Sequence, residues 1–260
     1  MSFVEVDHVG KTYQTVGGGS FRALDDVNLS IGRGEFVCLL GPSGCGKSTL
    51  LAALAGFDPA SEGIVRIDGR EVSGPSSSRI TIFQQYGLFP WRSVLSNVEF
   101  GLEGKAGVSR RERERIAREY IELVGLQDFA DSRPSELSGG MQQRVSIAGG
   151  LGTNPDVLFM DEPFGALDAI TRMKLQDDLL RIAKEAGKTV VFVTHDIDEA
   201  VYLSDRIVVM TPNPGRVKQV VDVPMSWGSR DRTSDDFIAC RDKVFEIFNM
   251  KHEAEIEFVI

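Results

Sequence analysis

The clearest chemistry lies in nine consecutive residues, Gly41-Pro42-Ser43-Gly44-Cys45-Gly46-Lys47-Ser48-Thr49. They match the phosphate-loop pattern G-x-x-x-x-G-K-[ST], set between an apolar run and a helix-like one. Glycines let the backbone curl until successive N–H groups point inward at phosphate oxygens, and a helix N-terminus adds its positive end. In such a loop Lys47 reaches the β- and γ-phosphates and the Ser48 hydroxyl offers an oxygen to Mg²⁺. A glycine-rich turn with no ligand fits this context less well. Cys45 reads as a space-filling loop residue. Farther on, Val157-Leu158-Phe159-Met160-Asp161-Glu162 brings two acids to the C-terminal end of an apolar strand, where α/β sheets bind ligands. Asp161 is placed to hold the Mg²⁺ shell. Glu162 can polarise a water for in-line attack on a γ-phosphate. A strand ending in two acids is a weak signal alone and a strong one behind a phosphate loop.

These residues need a scaffold, and the pattern of the chain supplies one. Phe3–His8, Val27–Ile31, Phe36–Leu40, Ile64–Ile67 and Arg79–Phe83 read as strands, with a hairpin tip at Gly17-Gly18-Gly19. Ser48–Ala55 reads as the helix after the phosphate loop, ended by Gly56. From Ser93 to about Val124 the pattern turns helical, and Ser109-Arg110-Arg111-Glu112 forms a capping box. The charge run that follows reads as a solvated helix face. Alternation then returns: strands at Val157–Met160, Thr189–Val193 and Arg206–Met210, and helices at Thr171–Ala186 and Ile197–Leu203. Such alternation implies a mostly parallel sheet covered by helices. Pro212-Asn213-Pro214-Gly215 breaks it, and Ser234–Phe248 closes the chain with an amphipathic helix facing inward through Phe237, Cys240, Val244 and Phe248.

Composition narrows the function. The 260 residues hold 29 Lys+Arg against 38 Asp+Glu, a net charge of −9, which argues against a protein that coats nucleic acid or lies on an anionic membrane. There is no apolar run of the roughly eighteen residues that a membrane span needs, and the N-terminus has no signal-peptide pattern. The three cysteines, Cys38, Cys45 and Cys240, have neither the number nor the spacing of a disulfide framework or zinc site, so a reduced, cytoplasmic setting is expected.

Between the two phosphate-site elements lies Leu137-Ser138-Gly139-Gly140-Met141-Gln142-Gln143-Arg144. With it, over about residues 1–222, the chain closely resembles the ATP-binding subunits of ABC (ATP-binding cassette) transporters. The motifs fall in order: phosphate loop, Phe83-Gln84 at a strand end, signature, Asp161-Glu162, Ala166-Leu167-Asp168, and His195 after another strand. The resemblance implies an α/β fold with a P-loop NTPase core of mostly parallel sheet. It adds an N-terminal antiparallel β subdomain and a helical insert, about 88–152, carrying the signature; 223–260 are then a C-terminal helical extension packed on the core. By the same resemblance Tyr13 stacks on adenine, the alternative being a packed strand tyrosine. Gln84, with Gln85 as competitor, touches Mg²⁺ and the attacking water. Ser138, Gly139, Gly140 and Met141 open a helix that faces the γ-phosphate of a second subunit. Asp168 lies at the subunit interface, and His195 contacts the γ-phosphate. His8 and His252 match no motif. A monomer would then hold an incomplete site, and the active form would be an ATP-sandwiched homodimer, or a heterodimer with a similar subunit.

Gln84–Trp91, Asn97–Glu103 and Glu162–Arg172 resemble the ATPases of nitrate/sulfonate/taurine-type importers. That implies ATP and Mg²⁺ as cofactors, a transmembrane permease and a separate solute-binding protein as partners, and no nucleic acid. It places the chain at the cytoplasmic face of the inner membrane, held by the permease without direct membrane insertion. Phe89, Pro90 and Trp91 are either contacts for the permease's coupling helix or packing of the insert. An ABC ATPase of a non-import or regulatory system is the alternative. One cassette is too few for the translation proteins, and the stretch from Ser48 to Leu137 is far too short for a chromosome protein's coiled coil. An intact Glu162, Gln84 and His195 argue against a regulatory subunit. A small-molecule kinase would not need Leu137–Arg144. One departure from the family stands out: Gly149-Gly150 occupy the signature helix where Arg-Ala is usual. Mid-helix glycines cost about 1 kcal/mol each relative to alanine, so Gly149→Arg with Gly150→Ala is expected to raise the melting temperature.

Overall fold

The computed structural model describes residues 2–15, 17–83, 87–105, 107–165 and 167–249. Two sheets divide the strands. The first is antiparallel, in the order β2-β1-β4-β5, from β1 (Ser2–Gln14), β2 (Ser20–Gly32), β4 (Glu62–Ile67) and β5 (Arg70–Glu71). The second runs β10-β9-β3-β8-β7-β6, from β3 (Phe36–Leu40), β6 (Arg79–Ile82), β7 (Val157–Asp161), β8 (Thr189–Thr194), β9 (Arg206–Thr211) and β10 (Arg216–Asp222). Four of its five pairings are parallel; only β10 is antiparallel, on the edge beside β9. The sequence dictates this placement. β3 and β8 are buried along their whole length, as strands covered on both faces must be.

β1 and β2 extend well past the apolar runs that mark them, because their outer ends carry polar residues. Register shifts near Val9 interrupt the alternation, with His8 and Asp26 both in left-handed backbone. β10 gives no comparable sequence signal: as an edge strand with mostly exposed residues it has little apolar pattern, and Pro212–Gly215 is the hairpin turn leading into it, not an end of structure.

Helices cover the parallel sheet: α1 (Lys47–Ala55), α5 (Ala169–Glu185), α6 (Ile197–Leu203) and α7 (Asp235–Asn249). α2 (Val94–Glu103), α3 (Arg110–Leu123) and α4 (Gly139–Gly152) form the helical insert, joined to the same core through Val98, Ile121, Val145 and Ala148. The Ser109 hydroxyl caps α3 by accepting from the Glu112 amide at 3.2 Å. The Glu112 carboxylate, however, engages Arg115, so only half of the capping box forms. Ion pairs Arg115–Glu119 and Arg118–Glu114 line the exposed face. α7 buries Phe237, Cys240, Val244 and Ile247 in the main core, with Phe248 partly buried against it.

The two sheets meet at a seam beside the phosphate loop. The Gly215 amide donates to the Ala23 carbonyl at 2.9 Å, the Asp25 amide donates to the Gly215 carbonyl at 3.0 Å, and Arg216 pairs with Asp25. A Cβ at Gly215 would stand 2.2 Å from the Cys45 carbonyl oxygen, so only glycine permits this approach.

Gly149 and Gly150 differ in surroundings. A Cβ at Gly149 would meet Val98 Cα at an ordinary 3.8 Å; one at Gly150 would come within 2.8 Å of Ile82 Cδ1 and 2.9 Å of its Cγ1. Glycine at 150 lets α4 lie close on β6. The expected gain from replacing both residues therefore holds for Gly149 alone.

Candidate functional site

The loop after β3 enters α1 through Gly46, whose φ of +91° is the left-handed conformation that glycine adopts without strain. A Cβ there would also come within 2.7 Å of Leu24 Cδ2. Gly46 has no side chain to cap the helix, and the first turn of α1 carries no acid, so its N–H groups and dipole remain directed at an anion. The Lys47 ammonium is buried and donates to the carbonyls of Gly41, at 2.7 Å, and Pro42, at 3.0 Å. Cys45 fills the loop as the sequence suggests: it is fully buried, its Sγ packed over Gly41, and burial pushes its thiol pKa up.

A cleft of about 370 Å³ opens at this loop, lined by Tyr13, Phe21, Ala23, Ser43, Gly44, Gly46, Lys47, Ser48, Thr49 and Glu162. Its walls come from both sheets. Tyr13 faces Phe21 across the β1–β2 hairpin, and its hydroxyl donates to Asp58 Oδ2 at 2.7 Å. Lys11 also pairs with Asp58 and lies 5.1 Å from the Tyr13 ring centre. Sequence reasoning missed Phe21 and Ala23. Pairing Tyr13 across the glycine turn could have found Phe21, because the register runs unshifted from Gln14–Ser20 through Tyr13–Phe21 to Thr12–Arg22.

Asp161 ends β7, where it hydrogen-bonds Ser48; burial pushes its carboxyl pKa up. A hydroxyl and a carboxylate brought together beside Lys47 are hard oxygen donors of the kind Mg²⁺ takes, so these residues fit that ion. Glu162 follows with φ +45°, a left-handed backbone that costs a non-glycine residue about 1–3 kcal/mol and collects at functional sites. Its side chain, 22% exposed, places Oε2 3.2 Å from His195 Nδ1. His195 sits between β8 and α6, its ring 63% exposed. A carboxylate that opens on a phosphate-binding cleft can accept a proton from water, and an imidazole beside it can orient that carboxylate.

Other expected site residues stand apart. Ser138 caps α4, its hydroxyl accepting from the Met141 amide at 3.3 Å, with Gly139 and Gly140 in the first turn. None of Ser138, Gly139, Gly140 and Met141 lines the cleft. Asp168 is exposed and caps α5 by accepting from the Thr171 amide at 3.0 Å; hydrogen bonds from Thr171 hold its carboxyl below the ordinary range. Gln84 and its competitor Gln85 lie outside the described residues, as does Ala166.

Comparison with known proteins identifies the family. A profile of the ABC transporter family matches residues 24–165, more than half of the chain. An uncharacterized ABC transporter ATP-binding protein of Methanocaldococcus jannaschii is 51% identical over 94% of this chain and 90% of its own length. A nitrate import ATP-binding protein of Synechococcus elongatus is 46% identical over 85% of this chain and 81% of its own. Among solved structures, a dimeric post-hydrolysis state of an ATP-binding cassette bound to ADP and Pi superposes with a TM-score of 0.78 at 36% identity, covering 86% of this chain and 100% of that one. The chain belongs to the ABC transporter family, as an ATP-binding subunit of the ATP-hydrolysing kind.

Proposed function

We propose that this chain powers import of a small anionic or zwitterionic solute, of the nitrate, sulfonate, taurine or bicarbonate kind, through a partner permease fed by a separate solute-binding protein. The observation that carries the catalytic part is Glu162, which lines the phosphate-loop cleft together with Lys47 and Ser48 and pairs with His195 beside it. The importer class rests on the similarity to a nitrate import subunit.

In this reading Tyr13 stacks on adenine. Residues 41–49 hold the phosphates, through backbone N–H groups and Lys47. Ser48, Asp161 and Gln84 hold Mg²⁺, which when bound neutralises phosphate charge. Glu162 takes the proton from the attacking water. His195 holds Glu162 in orientation and contacts the γ-phosphate. The signature turn, with no role in its own cleft, completes the site of a second subunit, and Asp168 lies at that interface. A dimer of cassettes is the working unit in this reading, and the solved relative is itself dimeric.

The permease contact falls on an aromatic patch. Trp91 is 71% exposed, Phe89 lies 5.5 Å from it and 4.6 Å from Phe100, and Arg92 stacks over Phe100. Asn97 holds this loop by donating to the Phe89, Arg92 and Ser93 carbonyls and accepting from the Phe89 amide. A rigid exposed aromatic face flanked by Pro90 suits docking of another protein. Among the described residues, no helix is long and apolar enough to cross a membrane. By its likeness to a nitrate import subunit, the proposed place of the chain is the cytoplasmic face of the membrane, held by the permease.

The test uses Glu162→Gln. Phosphate release should fall by about a hundredfold or more, the scale of a lost general base, while light scattering shows a dimer that persists in MgATP. A strictly monomeric variant under saturating MgATP overturns the sandwich. ATP-driven uptake into proteoliposomes with the cognate permease tests import; no uptake of nitrate, bicarbonate or taurine overturns the solute class.

A further inference from the structure

Behind His195 lies a buried polar cluster that the reaction as described does not use. Glu199, on α6, is almost wholly buried, as are Thr194 and Gln176. The Thr194 hydroxyl donates to Glu199 Oε2 at 2.7 Å and accepts from the Asp196 amide at 3.0 Å. Asp196 in turn accepts from the Glu199 amide at 3.1 Å. Three bonds thus close a ring around residues 194–199, and His195 is the residue held within it. The other carboxylate oxygen faces α5. Gln176 Nε2 donates to it at 3.0 Å, and Arg172 Nε lies 3.9 Å away. The Gln176 amide cannot be reversed, because its oxygen accepts from Arg232 at 2.6 Å. Arg172 also donates to the Leu167 carbonyl at 3.1 Å, one residue before Asp168.

We infer that Glu199 is a positioning residue: its carboxylate fixes the backbone that aims His195 at Glu162 and joins that setting to the loop carrying Asp168. A buried carboxylate needs its partners in place, so the bonds from β8 and α5 are kept or lost together. A shift of the Leu167–Asp168 loop would be felt at His195 through Arg172 and Glu199. The inference rests on the reading that His195 and Glu162 serve hydrolysis.

The experiment compares Glu199→Gln and Thr194→Val, each alone and combined with His195→Ala, in the full chain. Turnover of MgATP should fall by about tenfold to a hundredfold in either variant, as misplaced groups do, with KM within about twofold. Added to His195→Ala, neither should lower turnover further, because groups that act as a unit are not additive. NMR of ring-labelled histidine, assigned with His195→Ala, should show the His195 signals displaced in both variants. Thr194→Val serves if Glu199→Gln melts too early to assay. Unmoved His195 signals, or a full extra loss in the His195→Ala background, overturn the inference. If His195→Ala keeps full turnover while the ring signals still move, the positioning stands and the catalytic reading of His195 falls.

Discussion

Two helix starts carry the family's motifs, and they are built differently. α1 begins at a bare glycine, in a cleft, with the buried Lys47 as its first residue. α4 begins at Ser138, whose hydroxyl already satisfies the Met141 amide, on the open surface. The first is organised to hold an anion within its own chain. The second is a finished, capped turn with its two glycines half-buried, and none of its residues lines its own chain's cleft. On the proposed reading, a site split in this way makes nucleotide binding a property of one chain and turnover a property of two.

Three measurements break or sharpen that contrast. Lys47→Ala should weaken MgATP binding to the isolated chain by about ten- to a hundredfold, matching the loss of a hydrogen bond to a charged group, about 1.5–3 kcal/mol. Unchanged affinity by calorimetry would remove α1 from the phosphate site. Gly140→Asp should act with opposite signs on two readouts. An acid in the first turn of α4 favours the helix by about 0.3–1 kcal/mol, so the melting temperature should hold or rise. The same charge set against a partner's phosphate should lower turnover by about tenfold or more, with single-chain affinity unaltered. A parallel fall in affinity would put the signature in the cis cleft and end the comparison. The smallest effect separates two neighbours on α4. Gly149→Ala should stabilise by up to about 1 kcal/mol, whereas Gly150→Ala should gain nothing or destabilise, because Ile82 must give way. Equal gains at both positions by thermal melts would contradict the close approach of α4 to β6.

The sequence made legible what is local or fully buried. Residues 41–49 and the Asp161-Glu162 step define their own backbone chemistry. β3 and β8 announce themselves by unbroken apolar runs. What stayed hidden depends on partners distant in the chain. β10 is an edge strand whose residues read as a solvated stretch until β9 pairs with it. Phe21 reaches the cleft only once β2 folds back beside Tyr13. Gly150 looks like a weak point in a helix until Ile82 is seen against it. Glu199 reads as one more acid in a helix start, and its burial between β8 and α5 gives it meaning.

The cleft takes one wall from each sheet: Tyr13, Phe21 and Ala23 from the antiparallel one, the phosphate loop and Glu162 from the parallel one. Within the protein the sheets are joined by the apolar core they share and by the nearby Gly215 seam. A nucleotide lying in the cleft would add a further fastener between them, present only while it is bound. Ligand at a hundred times its dissociation constant contributes about 2.7 kcal/mol to the folded state. The fuel would then act as a removable part of the framework, and amides of β1 and β2 should exchange with solvent more slowly when ATP is present.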